Sequence, residues 1–136
     1  MIRNQSKVIF NWLPPLLWMG LIFTFSGPSG LPNPAQPGTL ADFLLWKTVH
    51  LLAYAILAGL LWWALQAGPG RELKVRAFGG SWTICSLFGA FNEYYQTSVP
   101  GREGTWVDVS INSLGALLGL VVIWWLIRGQ AGGKAT

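Results

Sequence analysis

Charged side chains are scarce in this sequence. Asp, Glu, Lys and Arg together make up 10% of the 136 residues, whereas a soluble domain carries about 25%. Hydrophobic residues make up 52% of the chain, and nine residues are tryptophan. This composition argues against an ordinary soluble domain, and the length suits one domain. We therefore expect a single membrane domain that covers residues 1–136.

Cysteine and histidine each occur only once. The single Cys85 excludes an intramolecular disulfide and has no metal-ligand spacing around it, so we interpret it as a packing residue. The sequence contains no P-loop, dinucleotide-binding glycine pattern or H-E-x-x-H motif. His50, Glu93 and Asp108 could supply one nitrogen and two oxygen ligands, but two cations close to them oppose a divalent ion. We predict neither a metal nor a cofactor.

Four long apolar runs account for most of the chain. They cover about residues 8–25, 43–66, 77–95 and 107–127, and each approaches the ~20 residues that a transmembrane helix needs. The sequence therefore predicts an all-α fold, a bundle of four transmembrane helices. Residues 26–42 are rich in proline and glycine, which predicts an irregular outer loop. Residues 67–76 form a short basic connection, and residues 128–136 a polar tail that we expect to be disordered.

The first apolar run has two interpretations. Basic residues precede it, as they precede the apolar core of a secretory signal. The run is nevertheless long, contains Trp12 and Trp18, and ends without a cleavage-site pattern. We therefore expect a retained membrane helix with a kink at Pro14 and Pro15, which membrane helices tolerate when neighbouring groups satisfy the freed backbone.

The basic residues predict the orientation of this bundle. If the N-terminus lies inside, the outer side carries only Lys47 and Arg102 among the nine Lys and Arg residues. The cytoplasmic side then carries Arg3, Lys7, Arg71, Lys74, Arg76, Arg128 and Lys134. This positive-inside bias predicts that both termini are cytoplasmic. It also explains the basic residues without a nucleic-acid partner, which would need a basic face on a soluble domain.

In this topology, the polar residues of the apolar runs meet at one depth near the outer face. The second and fourth helices would begin there and the third would end there, with a Pro-Gly turn before the fourth. Ionisable groups in membrane helices are costly and mark a functional site by default. The candidate site residues are Lys47, His50, Tyr54, Glu93, Gln96, Arg102, Asp108 and Asn112.

Helical periodicity places several of these residues on common faces. At about 100° per residue, the three on the second helix fall within an arc of about 60°. A stripe of similar width on the fourth helix consists of Asp108, Asn112, Gly115 and Gly119. The two glycines form a GxxxG motif, which allows close helix packing. We therefore expect the fourth helix to pack centrally, with its polar end in the site.

Two interpretations of these polar residues stay open. Lys47 and Arg102 could neutralise Glu93 and Asp108, so that the cluster is an ion-pair latch between helices. Alternatively, His50 titrates near neutral pH and would lie within reach of both carboxylates, which suits acid-base chemistry or a proton relay. An arginine can bind an anionic oxygen through two parallel hydrogen bonds, and a lysine adds a point charge. This second interpretation predicts a site for a phosphate or carboxylate near the lipid headgroups.

Three segments carry a family resemblance. They are WKTVHLLAYAILAG at residues 46–59, FGAFNEYYQTSVPGR at residues 88–102 and DVSINSLGALLG at residues 108–119. With their spacings K-x-x-H-x-x-x-Y, N-E-x-x-Q-x-x-x-P-G-R and D-V-x-x-N-x-x-G-x-x-x-G, they resemble the VanZ-like family. The resemblance implies a small multi-pass protein of the bacterial cytoplasmic membrane, from a family whose founding member is associated with resistance to the glycopeptide teicoplanin. It implies no settled biochemical activity, and its motif positions are the eight candidate site residues.

The first functional hypothesis is an outward-facing site that binds, and in an enzyme would modify, an anionic lipid-linked envelope substrate. In it, His50, Glu93 and Asp108 are the catalytic residues. The substrate-binding residues are Lys47, Tyr54, Gln96, Arg102 and Asn112, while Gly115 and Gly119 pack helices. The alternatives are a non-catalytic binder that shields an envelope target or binds a lipoglycopeptide, and a structural latch without assigned activity. The partner would be a membrane lipid, a lipid-linked precursor or a glycopeptide, and homo-oligomerisation stays open.

Overall fold

Four helices make up the fold. The structure is a computed structural model, and it describes residues 5–28, 35, 37–66 and 71–132. The helices are α1 (Gln5–Ser26), α2 (Leu40–Leu65), α3 (Arg71–Gln96) and α4 (Trp106–Gly132). No strand occurs within the described ranges. The predicted all-α, four-helix architecture is therefore confirmed.

The helices are longer than the apolar runs from which they were predicted. α3 begins at Arg71 rather than Ala77, and α4 continues to Gly132, into the segment that was expected to be a disordered tail. The apolar run shows only which part of a helix suits a membrane, whereas residues such as Leu, Lys and Arg extend a helix readily. α1 passes through Pro14 and Pro15 without interruption. In the predicted loop, residues 27, 28, 35 and 37–39 form turns and bends, whereas residues 40–42 already belong to α2. Residues 29–34, 36, 67–70 and 133–136 of the predicted loop, connection and tail lie outside the described residues.

We expected α4 to be the central helix, but the structure places α2 at the centre. α2 packs against all three other helices and most extensively against α4, while α1 contacts α2 and only lightly α3. The fully buried side chains Leu57 and Leu61 of α2 meet Leu120 of α4 and Cys85 of α3 in the core. The second helix is central because α1 has no contact with α4 and joins the bundle through α2.

A very close approach joins α2 to α4. A Cβ atom added at Gly119 would lie 2.6 Å from the carbonyl oxygen of Ala55 and 2.8 Å from its Cα. One added at Gly115 would lie 2.9 Å from the Cα of Leu51. Real Cβ atoms do not come so near to a backbone, so only glycine allows this separation. The GxxxG motif therefore sets the distance between the two helices that carry most of the polar residues.

The surface of the bundle is strongly apolar. α2 and α4 are each long and apolar enough to cross a membrane, yet only 33% and 22% of their apolar windows are buried in the bundle. Large side chains such as Trp106, Leu87 and Trp125 are 84%, 67% and 73% exposed. Helices that are apolar all round need apolar surroundings, and these surroundings indicate a membrane protein. That the four helices cross the membrane, and that both termini are inside, stay predictions.

We expect Gly119→Ala to destabilise the bundle, because a methyl group at this position meets the backbone of Ala55 and not a flexible side chain. Overpacking of this kind costs about 1–3 kcal/mol. Thermal unfolding in detergent, followed by circular dichroism, would measure the change. Gly79→Ala is the matched control on α3, since nothing lies within 4 Å of an added Cβ there. A Gly119→Ala protein that melts at or above the wild-type temperature would contradict the close approach.

Candidate functional site

The polar site is the end of the bundle where α2 and α4 begin and α3 ends. An ion pair between α2 and α4 forms one part of it. Lys47 Nζ lies 2.5 Å from Asp108 Oδ1. Thr105 Oγ1 donates a hydrogen bond of 2.7 Å to Asp108 Oδ2 and accepts one of 3.1 Å from the Asp108 backbone N–H. The T-x-x-D spacing is that of a capping box, but here the Thr105 hydroxyl makes both contacts, and Thr105 caps the first turn of α4. Asp108 is therefore fully engaged in holding α4 against α2.

A chain of three side chains forms the second part of the site. Asn112 Nδ2 on α4 donates a hydrogen bond of 3.1 Å to Glu93 Oε1 on α3. Asn112 Oδ1 lies 3.0 Å from His50 Nδ1 on α2, and the same Nδ1 is 3.6 Å from Glu93 Oε1. Glu93 and Asn112 are buried, whereas His50 remains partly exposed. Three helices thus each contribute one member of the chain.

The order of these contacts decides which nitrogen of His50 carries the proton. An ionised carboxylate only accepts hydrogen bonds, so Asn112 turns its NH₂ group to Glu93 and its oxygen to His50. That oxygen needs a donor, which must be the N–H at His50 Nδ1. In the neutral imidazole the other nitrogen, Nε2, then has a free lone pair. His50 is arranged as a base, in the way that a buried partner fixes the tautomer of a catalytic histidine.

Several buried polar atoms in the site are incompletely satisfied. Glu93 Oε2, Asn92 Oδ1 and the Tyr54 hydroxyl have no hydrogen bond of normal geometry among the described residues. The Thr105 backbone N–H lies beside Glu93, and the Asn92 side chain lies beside Tyr54. A buried polar group that lacks a hydrogen bond costs about 1–3 kcal/mol. This cost is typical of a site shaped for function rather than for stability.

A tight turn positions Arg102. The Arg102 N–H donates to the Val99 carbonyl over 3.1 Å, and Gly101 has a φ of 79°. These features define a type II turn with Pro100 and Gly101 at its centre, where the left-handed position favours glycine. The guanidinium donates to the Phe25 carbonyl at the end of α1, over 3.1 Å. It also lies 5.9 Å from the centre of the Trp46 ring on α2.

The charge of Arg102 is not neutralised within the described part of the chain. Of the two carboxylates in the site, Asp108 pairs with Lys47. Glu93 accepts from Asn112 and lies beside His50, so neither carboxylate pairs with Arg102. Backbone carbonyl and ring contacts hold the guanidinium in place without cancelling its charge. Several of its five donors are therefore free for an anion, which an arginine can bind through two parallel hydrogen bonds.

Arg102 and His50 open into one cavity. This cavity of about 360 Å³ lies between α1 and α2. Its polar end is lined by Ser26, His50, Asn92, Gln96 and Arg102, and its remaining walls are apolar. Ser26 Oγ donates to the Ile22 carbonyl and accepts from Asn92 Nδ2, each over 2.8 Å. His50 and Arg102 therefore border the same space.

The structure divides the predicted site residues into three groups. Lys47 and Asp108 form the ion pair; His50, Glu93 and Asn112 form the hydrogen-bonded chain; and Gln96 and Arg102 line the cavity with His50. Tyr54 lies deeper, 1% exposed, in the core. Lys47 is held by Asp108 and does not line the cavity, so the structure separates the two cations that were expected to act together. In the described ranges no set of three or more His, Cys, Asp and Glu side chains is placed to hold a metal ion.

Sequence reasoning missed four residues that shape the site. Ser26, Asn92 and Trp46 line the cavity, and Thr105 caps α4. The T-x-x-D spacing of the capping box could have revealed Thr105. The other three depend on how α1 lies against α2 and α3, which no local pattern encodes.

The comparison with protein families gives a match over nearly the whole chain. A family model described as VanZ/LLP1 matches residues 4–128. The matched range contains α1, α2 and α3 and most of α4, and therefore the whole polar site. The comparisons with curated proteins and with solved structures found no match.

We expect neutral His50 to carry its proton on Nδ1. The histidine is the only one in the chain, so ¹⁵N NMR of histidine-labelled protein in detergent reports on it without assignment. Asn112→Leu removes the acceptor that holds the tautomer, and its spectrum should shift toward the Nε2–H form. Ser110→Ala, at an exposed position on α4 whose hydroxyl bonds only within its own helix, should retain the wild-type pattern. A wild-type spectrum dominated by Nε2–H would overturn the assigned hydrogen-bond order.

Proposed function

We propose that this chain, which belongs to the VanZ/LLP1 family, is a multi-pass protein of the bacterial cytoplasmic membrane that binds an anionic, lipid-linked envelope substrate. The proposal rests on one observation above all. An arginine without a carboxylate partner and a histidine with a fixed tautomer line the same cavity, at the end of an apolar bundle. The positive-inside bias of the sequence supports an outward-facing site. The ligand would be held where its headgroup meets the membrane surface.

Binding begins with the charge of the ligand. Arg102 supplies the positive charge and two parallel donors for a phosphate or carboxylate oxygen. Gln96 and Asn92 border the same space and provide neutral donors and acceptors. Lys47 has a different role in this proposal, since its pairing with Asp108 fixes α2 to α4 and thereby places His50 beside Asn112. The ion-pair latch and the binding site are thus two parts of one arrangement.

Acid-base chemistry on the bound headgroup would use His50. Its Nε2 lone pair can accept a proton from a hydroxyl or a water molecule beside the anion. The imidazolium that results would be stabilised through Nδ1 by Asn112 and by the negative charge of Glu93. Glu93 and Asn112 act through His50 and are positioning residues in this scheme. Asp108, which the sequence suggested as a catalytic residue, is proposed to hold α4 in place.

A non-catalytic binder is the second candidate, and the hydroxyl of Ser26 favours it. Ser26 lines the cavity near His50, but its Oγ donates to the Ile22 carbonyl and accepts from Asn92. Its proton is therefore not directed at His50, and it does not form the nucleophile-base pair that covalent catalysis needs. A protein that holds an envelope lipid without changing it could shield that lipid from a glycopeptide. The association of the family's founding member with teicoplanin resistance agrees with such shielding.

We expect Arg102→Gln to weaken binding of dodecyl phosphate about tenfold or more, because a charged hydrogen bond contributes about 1.5–3 kcal/mol. The probe would be titrated into protein held in phosphatidylcholine nanodiscs and followed by calorimetry. Arg128→Gln is the matched control, since this arginine lies at the opposite end of α4 against Trp124. Equal affinities for wild type and Arg102→Gln would remove Arg102 from the binding site.

Mass spectrometry of the envelope lipids from cells that produce the protein distinguishes catalysis from binding alone. If the site is catalytic, wild type changes the mass spectrum of the envelope lipids, while His50→Ala and Glu93→Gln abolish that change and still fold. Thr48→Ala, an exposed position on the same turn of α2, should behave as wild type. Identical lipid spectra for all variants, together with Arg102-dependent binding, would establish the non-catalytic alternative.

A further inference from the structure

The cavity extends far beyond its polar end. Its wall on α2 runs from Trp46 to Ile56, a distance of about 15 Å at 1.5 Å per residue. The opposite wall belongs to α1, where Trp18, Leu21 and Phe25 contribute. Apart from the polar end, these walls offer only apolar surface. The cavity is therefore an elongated groove with Arg102 and His50 at one end.

The groove opens sideways along its length. Leu21 and Phe25 on the α1 rim are 47% and 42% exposed, and Leu52 and Ile56 on the α2 rim are 53% and 47% exposed. On its floor, Trp18 Nε1 donates a hydrogen bond of 2.9 Å to the Ala53 carbonyl and ties the two helices together. A molecule could thus enter between α1 and α2 without passing through the bundle. If the helices cross the membrane, that opening faces the hydrocarbon region.

We propose that this groove holds one hydrocarbon chain of an anionic amphiphile, which enters sideways from the membrane and places its phosphate or carboxylate against Arg102. This inference rests on the proposed function and defines the ligand class more narrowly. The protein takes the ligand from the lipid phase rather than from water and binds one of its chains.

The dimensions of the groove suit one hydrocarbon chain. Its volume of about 360 Å³ lies at the small end of the range for ligand pockets, about 300–1,000 Å³. This small volume is drawn out over about 15 Å of α2. A long and narrow apolar space of this kind matches one extended chain, and any second chain of the ligand would remain in the membrane outside the groove.

The positive charge at one end of the groove indicates an anionic ligand. Arg102 contributes the only formal charge among the lining residues other than the titratable His50. Because the described residues that line the groove include no carboxylate, the guanidinium offers its positive charge and its donors to a bound headgroup. An anionic headgroup on an apolar chain satisfies both ends of the groove at once, whereas a neutral lipid satisfies only the apolar part. Charge and shape thus point to the same ligand.

The test uses a dodecyl phosphate with a photoreactive diazirine at the end of its chain, in phosphatidylcholine nanodiscs. After illumination, mass spectrometry should find crosslinks on groove residues such as Trp18 and Ile56, and excess dodecyl phosphate should remove them. Ala53→Trp fills the middle of the groove and should reduce these crosslinks about tenfold. Ile22→Trp fills it from the other wall and replaces Ala53→Trp if that variant does not fold. Val122→Trp, a lipid-facing position on α4 that is 55% exposed, should change nothing.

The ¹⁵N signal of His50 separates failure of this inference from failure of the proposed function. A His50 response to dodecyl phosphate that Arg102→Gln abolishes, together with groove crosslinks, supports both. The same response with crosslinks scattered over all helices and insensitive to Ala53→Trp overturns the groove and leaves the headgroup site. No response to dodecyl phosphate or to dodecanoate overturns the proposed function, and the groove with it. A response to only one of the two identifies the headgroup.

Discussion

The close contact between α2 and α4 is the constraint on which the polar site depends. Gly115 and Gly119 let the backbone of α4 approach that of α2 at Leu51 and Ala55. Because helices this close stay in register over several turns, the residues one and two turns nearer the polar end also meet. Lys47 then reaches Asp108, and His50 reaches Asn112. Polar contacts in a membrane contribute little on their own, so backbone packing provides the frame in which they become specific.

This frame separates charges that hold the fold from charges that are free to act. Asp108 is engaged by Lys47 and by the capping Thr105, and both serve the junction of α2 and α4. His50 and Arg102, by contrast, border a cavity. The distinction matters because an ion-pair latch and a binding site use the same residue types. Geometry alone makes this distinction: Lys47 and Asp108 contact each other, whereas His50 and Arg102 border the cavity.

The sequence predicted the helices better than the contacts between them. Four apolar runs identified four helices, and the spacing by four, three and four residues correctly placed Asp108, Asn112, Gly115 and Gly119 on one face, because both are local properties of a helix. Which cation meets which carboxylate depends on how far the helices are apart and on where the turn before α4 directs Arg102. The wall of the groove on α1 could not be predicted either. Trp18 contacts Ala53 and Ser26 contacts Asn92 only because of the way α1 packs against α2 and α3.

The turn before α4, and not an ion pair, sets the placement of Arg102. Pro100 and the left-handed Gly101 direct its side chain to the mouth of the apolar groove. The nearby carboxylate of Glu93 is engaged by Asn112 instead. Among the described residues that line the groove there is no carboxylate. The positive charge of Arg102 therefore faces the groove without a partner there, and the proposed binding of an anion depends on this feature.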